Sequence, residues 1–191
     1  MNFYETSGHT AALLLLYSGR RVHDLTLLRV SNDHLITSED HVILWPAFGS
    51  KTDSVSQRQS GWKLLKNTDN HNLDPVYWIK QLIQVSRERR VAAKSDSLFL
   101  NTYGKPRPAS RTIIAGWIKK ILNEAGIEAT PGSFRAAVAS RNWVEHFQLD
   151  DILARGNWKS ANTFRKFYQR EITPSKLECS LITSCFEPVN N

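Results

Sequence analysis

The sequence predicts a mainly α-helical fold with a small antiparallel β-sheet or hairpin inserted in its N-terminal third. Apolar residues recur at spacings of three and four over much of the chain, as a helix burying one face requires. Two apolar runs, HVILWPAF and SGWKLLKN, flank the polar segment GSKTDSVSQRQ as paired strands flank a long loop. At 191 residues, 41% hydrophobic and 23% charged, the chain suits one globular domain with a proper core.

HTAALLLLYSG reads as a buried helix stopped by Gly19, and HDLTLLRV as a second, short helix. The strand pair follows, with Lys51 at the tip of its loop, free enough there to reach a ligand. Asp74 and Pro75 form a strong helix start before VYWIKQLIQVSRERR, and SLFLN is a brief apolar patch ahead of the turn-like YGKPRP. Arg111 to Ala125 carries Ile114, Ile118, Ile121 and Leu122 at helical spacing, with Gly126 as its stop. TPGSFRAAVASRNWVEHF supplies a capping serine and a helix, LDDILARG a shorter one, and SANTFRKFYQR another. In that last segment Phe164, Phe167 and Tyr168 share a helical face. Tyr168 can therefore be a core aromatic with a polar tip, or a phenol turned to a polyanion.

Charge favours a polyanion. The net charge is +7, and residues 101–170 hold twelve Lys and Arg against five Asp and Glu, while the rest of the chain is balanced at thirteen of each. Such a block fits nucleic acid or an anionic membrane surface, although a solvated face can look similar. The longest apolar run, AALLLL, is too short to cross a bilayer and lacks signal-peptide flanks, so the chain reads as soluble and intracellular. Cys179 and Cys185 have no zinc spacing, and the six histidines form no paired ligand motif.

Within this frame four features stand out beside Tyr168. Arg21 follows a helix-stopping glycine in SGRRVHDL, and Arg135 lies in the first turn of its helix in PGSFRAA, where backbone N–H groups also favour an anion. Lys51 lies on the loop, and Trp158 in RGNWKS offers an indole donor. Each has a plainer reading: Arg20 and Arg21 paired with Asp24 on the surface, Arg135 as a solvated helix cation, Trp158 as a core aromatic.

Their order resembles the catalytic domain of the tyrosine recombinases, the integrase family. LYSGRRVHDLTLL is similar to the family's T-G-x-R-x-x-E-L-x-x-L box, with Arg21 as its arginine and Asp24 in the acidic, supporting place. FGSKTD puts Lys51 where the family has a hairpin lysine, GSFRA matches H-x-L-R-H with Arg135, and ARGNWKSANTFRKFYQR matches the final box with Trp158 and the nucleophile Tyr168. Two departures, Gly132 and Ala136 at the histidine positions of the second box and one extra residue between Trp158 and Tyr168, resemble the eukaryotic DIRS-like and Crypton transposon branch.

The resemblance implies the recombinase catalytic-domain fold over residues 1–174. It also implies DNA cleavage and rejoining through a phosphotyrosine, with no metal, ATP or other cofactor. Double-stranded DNA is the implied partner, bound in part by Arg111, Lys119, Lys120, Arg141, Lys159, Arg165 and Lys166, with a tetramer assembled on it. The nucleus is the implied compartment if the eukaryotic branch is right. Residues 175–191 carry Leu177, Leu181, Ile182 and Phe186 at near-helical spacing and are expected to dock on a neighbouring subunit or pack on their own domain. Nothing before residue 9 supplies the N-terminal DNA-clamping domain usual in the family, which leads us to expect a catalytic fragment or a minimal enzyme. Two rivals stay open, a type IB topoisomerase-like enzyme and a catalytically silent DNA-binding protein.

Overall fold

The computed structural model describes residues 1–56 and 58–167. Helix α1 (Phe3–Ser18) is its axis, and α3 (Pro75–Val85), α5 (Arg111–Glu124) and α6 (Ser133–Val144) pack around it. It starts six residues before the expected His9 because Asn2 and Glu5 form a capping box, Glu5 N donating to Asn2 Oδ1 at 3.0 Å and Asn2 N to Glu5 Oε2 at 2.9 Å. Three of its buried hydroxyls find their partners inside the helix. The hydroxyls of Ser7, Thr10 and Ser18 each donate to the carbonyl four residues back.

Gly19 closes α1 in the left-handed conformation, φ +62°, with its N–H bonded to Leu15 O. Helix α2 (Val22–Leu25) is shorter than expected, covering only the first half of the HDLTLLRV segment. Strands β1 (Leu35–Thr37), β2 (His41–Leu44) and β3 (Trp62–Leu65) make an antiparallel sheet in that order. The mainly helical fold with a small antiparallel sheet is the expected one, and β1 is the strand added to the expected pair. Val42 pairs with Leu64 and Leu44 with Trp62, and these four residues form the sheet's buried face.

Asp74 caps α3 through Val76 N at 2.9 Å, with Pro75 in its first turn. The expected single helix over 76–90 breaks at Ser86, where the hydroxyl bonds back to Leu82 O, and α4 (Arg87–Ala93) follows. Ser110 caps α5, and Gly126, φ +69°, ends the turn after it. The expected capping serine of α6 is displaced by one position: Gly132 is the cap, and Ser133 Oγ instead accepts from Thr130 N. The main core gathers α1, α2, the sheet, α3 and α5. A smaller core of Ala139, Ile152 and Phe164 joins α6, α7 (Leu149–Gly156) and α8 (Ala161–Phe167). Among the described residues, no helix is long and apolar enough to cross a membrane.

Candidate functional site

The turn after Gly19 sends two arginines in different directions. Arg21 is extended, φ −83° and ψ 152°, and its backbone N–H donates to Asp24 Oδ2 at 3.1 Å. Asp24 is fully buried, and its other oxygen accepts from Ser50 Oγ at 3.0 Å. The surface ion pair considered for Arg20 and Arg21 with Asp24 is therefore not what forms. Asp24 instead fixes the Arg21 backbone against the loop that carries Lys51. The Arg21 guanidinium keeps its buried Nη1 without a protein acceptor, an unspent donor suited to an anionic ligand.

Arg135 is buried at 5% exposure, and Nη1 donates to Gly19 O at 3.0 Å and to Gly156 O. It is not a solvated helix cation. Part of its fork is committed to tying the end of α1 to the end of α7. Its Cζ lies 3.7 Å from the centroid of the half-buried Trp158 ring, a cation–π stack. Phe164 meets that indole edge-on at 5.6 Å and 78°. Trp158 therefore serves both the core and the site, a platform beneath Arg135. Gly156 is required for this approach: a Cβ there would lie 2.7 Å from Cη2 of Trp158 and closer still to Cε3 and Cζ3.

Lys51 is exposed, but its loop is not the free tip expected from the sequence. Asp53 Oδ2 accepts from Gly49 N and Ser50 N at 2.9 and 2.8 Å, bracing the backbone just before the lysine, and Oδ1 accepts from Gln59 N at 3.0 Å. The His23 ring donates to Gly49 O, and Asn157 Nδ2 donates to Thr52 Oγ1. Lys51 therefore sits between a residue bonded to Asp24 and one bonded to the neighbour of Trp158. The structure thus brings together the segments of Arg21, Lys51, Arg135 and Trp158, while Tyr168 and the tail 175–191 lie outside the described residues.

Asn157, Asp53, Ser50 and Thr52 were missed by sequence reasoning. Asn157 had a local signal, an Asn after a helix-ending glycine, and it adopts the left-handed conformation, φ 53°. The other expected DNA contacts are spread over the surface. Arg111 is exposed at the start of α5, Lys119 donates to Ala129 O, and Lys120 lies 4.8 Å over the Tyr4 ring while pairing with Glu124. Arg141 pairs with Glu145, and Lys159, Arg165 and Lys166 are exposed. The second-box positions Gly132 and Ala136 both lie on α6 or its cap, on the same helix as Arg135.

Solved structures share this arrangement of elements. XerH site-specific recombinase bound to difH substrate, a pre-cleavage complex, superposes with a TM-score of 0.63 at 14% identity, covering 95% of this chain and 54% of that one. XerA recombinase gives 0.61 at 15% identity, with 96% and 58% covered. The Tn1549 transposon integrase in complex with circular intermediate DNA gives 0.55 at 15%, with 94% and 57% covered. The chain thus spans just over half the length of the structures it matches. No curated protein is similar enough to count as a relative. Residues 2–172 match the sequence profile of the phage integrase family, most of the 191-residue chain, and the chain belongs to that family.

Proposed function

We propose that this chain cleaves and rejoins duplex DNA through a 3′-phosphotyrosine on Tyr168, as the catalytic part of a site-specific recombinase or integrase. The observation that carries the proposal is the unspent Arg21 Nη1 donor, on a segment that Asp24 ties to the Lys51 loop, together with the Arg135–Trp158 stack. The family match and the DNA-bound and substrate-bound states of the XerH and Tn1549 structures support it.

Attack of a tyrosine oxygen on a phosphodiester builds negative charge on a five-coordinate phosphorus, so fixed cationic donors are the first requirement. Arg21 offers such donors, and Arg135, held against Trp158, adds a second fixed charge. A phenol of pKa about 10 is roughly a thousandth ionised at pH 7 and must lose its proton as it attacks. The phosphorus–5′-oxygen bond breaks as the tyrosyl ester forms, and Lys51 supplies the proton to the leaving oxygen. Reversal by a 5′ hydroxyl reseals the strand. The ester conserves the phosphodiester's energy, so neither ATP nor a metal is needed for rejoining.

Strand exchange between two duplexes calls for a tetramer on DNA. The S-F-R and W-x-S-x-x-T-F-x-K-F-Y patterns support membership of the DIRS-like and Crypton branch, hence action in a nucleus. Tyr168→Phe is the test: duplex DNA carrying a target site should give a denaturation-resistant adduct with the parent and none with the variant, at nearly equal DNA affinity. An adduct surviving in the variant, or mapping to Tyr4, Tyr17, Tyr77 or Tyr103, would falsify the assignment. Binding without any adduct in the parent would favour the silent DNA-binding reading, for which the absent second-box histidines speak.

A further inference from the structure

Arg20 occupies the unspecified position of the first box, yet it is among the most deeply buried side chains, at 2% exposure. Among the described residues no carboxylate lies within ion-pair distance of it. Its charge is held by neutral groups: Nη1 donates to Gln59 Oε1 at 3.3 Å, and Nη2 to Ser60 Oγ at 2.9 Å and Ala154 O at 3.3 Å. The guanidinium stands 5.5 Å over the Trp62 ring. Burial lowers its pKa to about 10, with Asp24 raising it, Arg21 lowering it and Asp53 raising it, so it remains charged at neutral pH. An unpaired buried cation is a poor way to stabilise a core, and an apolar side chain of similar volume would fill the space at lower cost.

What an apolar residue would not do is join three segments. Gln59 and Ser60 are the exit of the Lys51 loop, and Gln59 N is also held by Asp53, the residue that organises Gly49 and Ser50. Ala154 lies on α7, two residues before the Gly156 carbonyl that receives Arg135. We propose that Arg20 is a positioning residue that fastens the exit of the Lys51 loop to α7 and so sets the lysine's approach to the leaving 5′ oxygen. The proposal rests on the reading of Lys51 as proton donor given above.

The experiment compares Arg20→Met, the pair Gln59→Ala/Ser60→Ala, and Lys51→Ala on an ordinary duplex and on one with a 5′-bridging phosphorothiolate, whose thiolate leaves without a proton. At saturating DNA, Arg20→Met should slow adduct formation on the ordinary duplex by roughly 10²-fold, the cost of misplacing a reacting group by about an ångström. The phosphorothiolate should lose little, and adding Lys51→Ala should cost no more than Lys51→Ala alone. The Gln59→Ala/Ser60→Ala pair should reproduce this split with Arg20 present, which guards against a simple folding defect in Arg20→Met. Equal loss on both substrates, or losses that add to those of Lys51→Ala, would make Arg20 a residue of the fold alone and overturn the proposal.

A second readout is independent of cleavage. Amide exchange at Gly49, Ser50 and Gln59 should quicken in Arg20→Met while exchange in α1 and α5 is unchanged, and unchanged exchange at those three amides overturns the proposal. If the parent forms no adduct at all, the recombinase reading fails and the exchange result still judges the fastening.

Discussion

Replacing Gly156 by alanine sets two effects of opposite sign against each other. Gly156 is the last residue of α7, where alanine would ordinarily favour the helix by up to about 1 kcal/mol. The added methyl group, however, would lie 2.7 Å from Cη2 of Trp158 and nearer still to two other ring atoms, well inside the 3.4 Å at which ordinary contact begins. The indole must move, and it cannot move without leaving Arg135, 3.7 Å away on one face, or pressing on Phe164. Overpacking of this kind costs about 1–3 kcal/mol, and loss of a partly desolvated cation–π stack roughly another 0.5–2 kcal/mol.

Destabilisation therefore wins, by about 0.5–4 kcal/mol after the helix gain. At roughly 2–4 °C per kcal/mol for a chain of this size, Tm should fall by several degrees. Thermal and urea unfolding of Gly156→Ala, Trp158→Ala and the double variant measure it as a cycle. In the Trp158→Ala background the clash has no partner, so Gly156→Ala should become neutral or slightly stabilising there. An equal loss in both backgrounds, or a gain in the parent, would refute the claim that Gly156 exists to admit the indole.

Arg21 and Arg135 should separate under mutation. Arg135→Met leaves the Gly19 and Gly156 carbonyls without this donor, at about 1–3 kcal/mol each, and should lower Tm sharply. Arg21→Met removes a guanidinium whose buried Nη1 has no protein acceptor, so it should leave Tm nearly unchanged while abolishing adduct formation; equal melting losses in the two variants would contradict this division. DNA affinity should fall linearly with salt on a log–log scale as counterions are released from phosphates, because the chain's excess charge is concentrated in residues 101–170. A binding constant that is flat from low to physiological salt, measured by fluorescence anisotropy, would remove the electrostatic argument.

Most of the helices and the order of the boxes are legible in the residues alone. Gly19, the Asp74–Pro75 pair and Gly126 act on backbone within a few residues of themselves, so their stops and starts are legible without a fold. Local signals were also misread: the Asn2–Glu5 capping box lay outside the apolar run that marked α1, and the break at Ser86 had no glycine or proline to announce it. β1 is only three residues long and little buried, too short to show a period.

Which arginine does what depends on how distant segments pack. Arg135 reaches a carbonyl 116 positions away, Asn157 a hydroxyl 105 positions away, and Arg20 a carbonyl 134 positions away. No periodicity encodes such pairs, because their partners are backbone carbonyls or common polar side chains that become available only where the chain happens to fold past them. Adjacent arginines at 20 and 21 look equivalent in sequence. After the left-handed turn at Gly19, one extended residue apart, they point to different surroundings: Arg20 into a buried set of neutral acceptors, Arg21 toward a place where one donor is left for a ligand.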